Sequence, residues 1–238
     1  MPGFLTPARR RGVEILDDPA TPSHVRDRSM ADVIRANTMF GGTRAVLRAF
    51  RRLLPNLPRR AVSLDVGTGL GDIPPHMTDE AEQMGLTLTT IGLDVAESLL
   101  RSARRRLSGV VAGDALRLPL RDESFDVVMC SQLLHHFAEN DARRVIGELH
   151  RVSRGWVIVS DLRRSWFAAA GFWIASVALR FHRVTRHDGV TSVLRGFTVT
   201  ELDALVQQVT GATPLMRRGV FWRVSASWAK HPPSIAER

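Results

Sequence analysis

A chain of 238 residues with 44% hydrophobic residues is long enough to bury a core, and it excludes a disordered or fibrous class. One cysteine, Cys130, excludes an internal disulfide, and the longest apolar run, Trp166 to Leu179, falls short of the ~20 residues of a membrane span. The net charge of +9 comes almost wholly from arginine, and its clusters (Arg9-Arg10-Arg11, Arg51-Arg52, Arg104-Arg105-Arg106) are scattered, unlike a nucleic-acid footprint gathered on one face.

In chain order, Met1 to Ser23 carries Pro2, Pro7, Pro19 and Pro22 and reads as an arm over the surface or a partly disordered one. Ser29 is placed to cap a helix beginning at Met30 and ending near Phe40, where Gly41-Gly42 breaks the pattern. Val46, Leu47, Phe50, Leu53 and Leu54 recur at the helical period, predicting a second helix over Thr43 to Leu54. Pro55 and Pro58 end it before a strand over Ala61 to Val66. Helices over Pro74–Gly85, Ala96–Leu107 and Asn140–Arg154 alternate with strands over Leu86–Leu93, Val110–Gly113, Phe125–Cys130 and Trp156–Ser160. The third of these helices is expected to take Asn140 as its cap and Gly155 as its stop. Such alternation demands a parallel sheet with right-handed crossovers.

Arg163 to Arg195 interrupts it with one strongly apolar helix holding Trp166, Phe167, Phe172, Trp173 and Phe181, followed by Arg186-His187-Asp188-Gly189. Core packing or pocket lining both suit it, and its place after the fifth strand favours pocket lining. Thr198 and Glu201 form a capping box for a helix to Thr210, closed by Gly211. Two strands, Thr213–Arg217 and Val220–Trp228, then flank a turn at Arg218-Gly219. The chain divides into an N-terminal arm and helical cap (1–58), a core (59–162), an inserted apolar cap (163–197) and a C-terminal helix with hairpin (198–238).

The turn after the first strand carries the chemistry. Asp65-Val66-Gly67-Thr68-Gly69-Leu70-Gly71-Asp72 reads as buried strand, tight turn and helix start. A dinucleotide fingerprint would need a small residue where Asp72 stands, and a phosphate loop would need Gly-Lys-Ser/Thr. A carboxylate before the turn suits S-adenosylmethionine (SAM), which has an α-ammonium and no phosphate. Asp94, at the end of the second strand, stands where an acid accepts ribose hydroxyls.

With these residues the chain resembles the class I SAM-dependent methyltransferases, through DVGTGLG, GLDVAES, AGDALRLPL and FDVVMCSQLLHHF in order over about Ala61 to Ser160. The resemblance implies a Rossmann-like α/β fold: a mostly parallel seven-stranded sheet with an antiparallel last strand and helices on both faces. N-terminal helices and an inserted helical cap are added to it. It also implies that Gly67, Thr68 and Gly69 present backbone to the methionine part of SAM, with Asp65 near its ammonium. Asp94 would accept the ribose hydroxyls and Val95 would pack on the adenine. Asp114 and Ala115 would take the adenine amine, and Ser131 joins the cofactor site. Asp94 and Asp114 have a plainer reading as helix caps.

Methyl transfer asks a protein chiefly to place an acceptor and exclude water, and a phenol or enol needs little beyond deprotonation. Histidine is the natural base near neutral pH. The candidates are His135 and His136, after the fourth strand, and His187, which Asp188 could orient unless Asp188-Gly189 is merely a turn. Asn37, Trp173 and Arg195 are candidates for binding substrate. Ser131-Gln132-Leu133-Leu134 lacks the Asp/Asn-Pro-Pro-aromatic signature of base amino-methylation, and Cys130 lacks the setting of a cytosine C5 nucleophile. A metal site is not expected, since His135 and His136 are adjacent and no cysteine cluster accompanies them.

The expectation is therefore a cytoplasmic methyltransferase similar to bacterial quinone and polyketide-type enzymes of secondary metabolism. It would act on O or C of an apolar small molecule, as monomer or homodimer, without nucleic acid and without a membrane span, peripheral contact being left open. The alternative is an RNA or other macromolecule methyltransferase.

Overall fold

A computed structural model describes residues 6–10, 12–18 and 20–231. Pro2, Arg11, Pro19 and residues 232–238 of the C-terminal segment lie outside the described residues. Helices α1 (Ser23–Met39) and α2 (Gly42–Leu53) precede strand β1 (Arg60–Val66). Then follow α3 (Pro74–Gln83), β2 (Thr87–Asp94), α4 (Glu97–Ala103), β3 (Gly109–Ala112), β4 (Phe125–Ser131), α5 (Glu139–Val152) and β5 (Ser153–Leu162). The chain ends with α6 (Trp166–Ala178), α7 (Arg183–Arg195), α8 (Val199–Thr210), β6 (Leu215–Gly219) and β7 (Arg223–Ala229).

The seven strands form one sheet in the order β3-β2-β1-β4-β5-β7-β6. All pairings among β1 to β5 are parallel, and β7 runs antiparallel to both β5 and β6. The order reverses between β1 and β4, so the C-terminal ends of β1, β2 and β4 open a crevice there, where open α/β sheets bind ligands. On one face α5 and α8 bury Val145, Ile146, Leu149, Leu202 and Val206 against β4, β5 and β7. On the other, α2 and α3 bury Val46, Phe50, Leu53 and Met77. Burying one such side chain is worth roughly 1.5–3 kcal/mol, so these two apolar layers hold the strand tips rigid.

Several local expectations are corrected. The first helix starts at Ser23, after extended Pro22, so Ser29 lies inside it and is buried rather than capping. The third core helix starts at Glu139 with no side-chain cap, and Glu139 and Asp141 in its first turn meet the positive helix end instead. The chain passes from it straight into β5, which places Gly155 within a strand. The helix expected over Ala96–Leu107 is cut to Glu97–Ala103. The apolar helix expected after the fifth strand is two helices: Arg180 turns the chain with a left-handed φ of 54°, and the His182 ring accepts from Val184 N to start α7. Arg186 to Gly189 is helical within α7, not a turn. The Thr198–Glu201 capping box and the left-handed Gly211 stop are both present in α8.

Candidate active site

A cavity of about 1160 Å³ opens at the crevice, more than the ~300–1,000 Å³ of a usual one-ligand pocket. Its floor is the turn after β1. Gly67 adopts a left-handed φ of 74°, and a Cβ there would stand 2.8 Å from Leu133 Cδ2, so only glycine lets the turn close under β4's loop. Asp94 fixes this turn from the neighbouring strand, one carboxylate oxygen accepting from Gly69 N and the other from Ala96 N, both at 2.9 Å. Each oxygen keeps a second lone pair for a ligand hydroxyl.

Asp65 supplies the charge. It is buried, accepts from Thr68 Oγ1 at 2.8 Å, and leaves Oδ1 without a hydrogen-bond partner. Burial pushes its pKa up to about 7; the Thr68 hydrogen bond offsets only part of that, and Asp72 and Asp94 add a smaller repulsion. Asp72, also at the cavity, is raised by burial as well. A buried acid with an unpaired oxygen, beside a glycine turn that exposes backbone, wants a cationic ligand. The α-ammonium and sulfonium of SAM meet that need. Thr68, Gly69, Val95 and Ser131 line the same cavity, and the buried Ser131 Oγ has no partner.

Asp114 and Ala115 stand elsewhere. Asp114 is exposed and folds back to accept from Leu116 N at 2.9 Å, closing its own turn, while Ala115 packs into the core. Neither lines the cavity.

At the far end of the cavity aromatic walls are interrupted by polar clusters. Phe40 meets Phe172 and Phe221 edge-on, each with ring centroids 5.8 Å apart. A short 3-10 turn, Leu134–His136, follows β4 and sets the His135 and His136 rings side by side, 4.3 Å apart. Asp161, at the end of β5 and fully buried, takes His135 Nδ1 at 2.6 Å and His135 N at 2.9 Å. Burial pushes Asp161 up, yet His135 and the Leu162 amide outweigh it and hold the acid below its ordinary value. The ionised Asp161 accepts the proton of His135 Nδ1, and Nε2 is the ring nitrogen turned toward Glu14. Glu14, from the arm ahead of α1, completes the cluster. Its carboxylate accepts from Ser192 Oγ at 2.8 Å and lies 3.7 Å from His135 Nε2 and 3.9 Å from His136 Nε2.

Glu14, His135 and His136 could together hold a metal ion, which adjacency in sequence had argued against. Ligands on a tetrahedral ion stand about 3.3 Å apart, and these are wider. Arg195 Nη1 also sits 3.4 Å from Glu14 Oε1, supplying the positive charge already.

The remaining candidates separate. Asn37 lines the cavity and accepts from Gln132 Nε2, whose own amide oxygen accepts from buried Arg223 at 2.6 Å. Arg195 does not line it; its Nε donates to His135 O at 3.1 Å, so it positions the histidine turn from behind. His187 and Trp173 point away, into a second groove on the outer side of α6 and α7. Asp188, expected to serve His187, does touch His187 Nδ1 at 2.9 Å, but its carboxylate also accepts from Ile15 N and Leu16 N and pins the arm. Glu14, Asp161 and Gln132 were not legible as site residues. Asp161 carried a signal, lying at the tip of the strand beside β4.

Residues 64–159 match the family model for a methyltransferase domain. The chain is 33% identical over 103 residues to a demethylmenaquinone methyltransferase of Thermotoga maritima, covering 42% of each chain. It is 30% identical over 164 residues to a malonyl-[acyl-carrier protein] O-methyltransferase of Methylococcus capsulatus, covering 62% of this chain and 55% of that one. A tRNA (carboxymethyluridine(34)-5-O)-methyltransferase of Arabidopsis thaliana is 31% identical over 112 residues, 45% of this chain and 25% of that one. The chain thus spans about half or less of the length of these relatives. The solved plantazolicin methyltransferase BamL, in complex with a triazolic desmethylPZN analog and SAH, superposes with a TM-score of 0.63 at 12% identity. That alignment covers 88% of this chain and 91% of the solved one, a likeness of fold.

Proposed function

From the match of residues 64–159 to a methyltransferase domain and the cavity at the sheet's crevice, we propose that the chain is a SAM-dependent methyltransferase that methylates an acidic hydroxyl, or the carbon of its enolate, on an apolar small molecule. The observation behind this reading is the buried Asp161–His135 pair beside a Phe-rich cavity wall, with His135 and Glu14 among the lining residues. SAM supplies a methyl carbon activated by its sulfonium.

Asp65, Gly69 and Asp94 would hold the cofactor with its charged end on the turn. Phe40, Phe172 and Phe221 would hold a flat, apolar acceptor and keep water out, which strengthens the polar contacts inside. His135 Nε2 would take the hydroxyl proton, Asp161 keeping the ring in the right tautomer and stabilising the imidazolium. Glu14 faces the same nitrogen and would stabilise the charge that appears there. Arg195 and Arg9 hold the turn's carbonyls, Arg9 Nη2 donating to Phe137 O at 2.9 Å.

A macromolecular acceptor finds less support. Arg51 pairs with Glu80, Arg151 with Glu148 and Asp122, and Arg154 with Asp126, so these cations are matched in place rather than gathered for phosphate.

The test is turnover of labelled SAM with a panel of hydroquinones and polyketide phenols. A labelled small product is expected, and His135→Ala should lower kcat by roughly 10²–10⁴-fold, the usual share of a general base, while SAH affinity holds. Label found only in RNA or protein, or His135→Ala turning over normally, would overturn the reading.

A further inference from the structure

Helix α6 is apolar on every side. From Ser165 to Leu179 there is no charged residue. Its inner face is accounted for: Ala168 and Ala169 pack against α7, and Gly171, Phe172 and Ala175 line the cavity. The outer face is not. Trp166 is 44% exposed, Phe167 58%, Trp173 56%, Ile174 62% and Val177 42%. Residues 166, 173 and 177, with 167 and 174 alongside, form adjacent rows on one side of the helix. A surface helix ordinarily turns polar residues to that side. At 13 residues, or about 20 Å, α6 cannot cross a bilayer's ~30 Å core, and among the described residues no helix is long and apolar enough to do so.

What borders the apolar face says what covers it. A groove of about 580 Å³ runs between α6 and α7, lined by Trp173, Arg10, Arg183, Arg186 and His187 among others. None of its described lining residues is acidic. Arg186 Nε is buried without a hydrogen-bond partner, and Arg10, Arg180, Arg183 and Arg186 have no ion pair among the described residues. Arg10 instead lies 5.2 Å over the Trp166 ring, at the edge of the apolar rows. Uncompensated arginines beside aromatic and aliphatic side chains match an anionic bilayer: headgroup phosphates outside, acyl chains beneath. A second copy of this chain would set one arginine groove against another.

We infer that the outer face of α6 and the arginine groove beside it form a docking surface for an anionic lipid bilayer. Trp166, Phe167, Trp173 and Ile174 would sit at the acyl boundary, and Arg183 and Arg186 at the phosphates. The acceptor cavity lies directly behind the same helix, so an apolar acceptor dissolved in the bilayer would be one helix thickness away. The inference goes beyond the proposed reaction and does not rest on it, since vesicle binding is read without turnover.

The test is co-sedimentation of the full chain with vesicles of phosphatidylcholine alone and with about one third phosphatidylglycerol, where the surface potential attracts cations. Binding is expected to the phosphatidylglycerol vesicles only, with a blue shift of tryptophan emission and release by added salt. Arg183→Glu with Arg186→Glu should cut binding by at least about tenfold, and Trp173→Glu with Ile174→Glu should abolish it. Titration with SAH reports folding in both variants, because none of the four residues lines the cofactor cavity. Failure of the wild type to bind phosphatidylglycerol vesicles, or equal binding by both variants, would overturn the inference. A concentration-dependent dimer dissolved by Trp173→Glu with Ile174→Glu would overturn it too, by assigning the face to a second copy.

Discussion

Asp65 is a buried acid whose pKa burial pushes up to about 7. Its value in an unfolded chain is about 3.9, so between these the native state keeps a proton that the unfolded state has released. The group's contribution to stability therefore falls as pH rises from about 4 to about 7 and is level above that. A bound α-ammonium reverses the preference and draws the carboxylate into its ionised form. If Asp65 meets the cofactor's ammonium as proposed, binding releases a proton near neutrality. We expect SAH to bind more tightly, and to raise the melting temperature more, at pH 8 than at pH 6. Asp65→Asn, which has no charge to gain, should bind more weakly with a flat pH profile; a wild-type profile in that variant would remove Asp65 from the cofactor's charged end. This part of the site was legible because its residues are neighbours in sequence: the acid, three glycines and the next strand's acid all fall within 30 positions. Glu14 was not. It meets His135 and Arg195 only because the arm folds back over α7, tied by Arg10 N to Leu194 O at 3.1 Å.

The elements divide the work between holding and shaping. The alternation of strands and helices, the α8 capping box and the α2 core face all follow from short-range patterns of the kind a sequence displays. The apolar run after β5 was different, because unbroken hydrophobicity conceals both where a helix stops and which side of it faces a cavity. Its break at Arg180 turns α7 back along α6, and there the two helices touch closely. A Cβ on Gly189 would lie 2.1 Å from Phe172 Cε1, so the smallest side chain there must drive the ring into the acceptor space. Gly189→Ala is thus expected to raise the acceptor KM about tenfold, in keeping with the 1–3 kcal/mol of overpacking, and to leave SAH affinity within about twofold. Parallel loss of both affinities would show that α6 and α7 support the cofactor end as well. The same pair of helices explains Trp173 and His187. Facing away from the cavity, they became available to the outer groove.

Across the whole molecule two surfaces of different character lie at one end of a rigid sheet. The proposed cofactor side is polar backbone and carboxylate, set at the tips of β1 and β2. The opposite wall of the cavity is aromatic, assembled from α1, α6, α7 and the turn before β7, and is the proposed acceptor side. Asp94 joins the two strands at that turn through Gly69 N and Ala96 N. Equilibrium titration of the purified full chain with SAH at pH 8, beside Asp94→Ala, measures whether this turn is the cofactor site. Saturable one-to-one binding by the wild type is expected, with affinity at least about tenfold lower in a variant whose circular dichroism is unchanged, as for loss of a charged hydrogen-bonding partner. No saturable binding by the wild type, or equal affinity in Asp94→Ala, would contradict it.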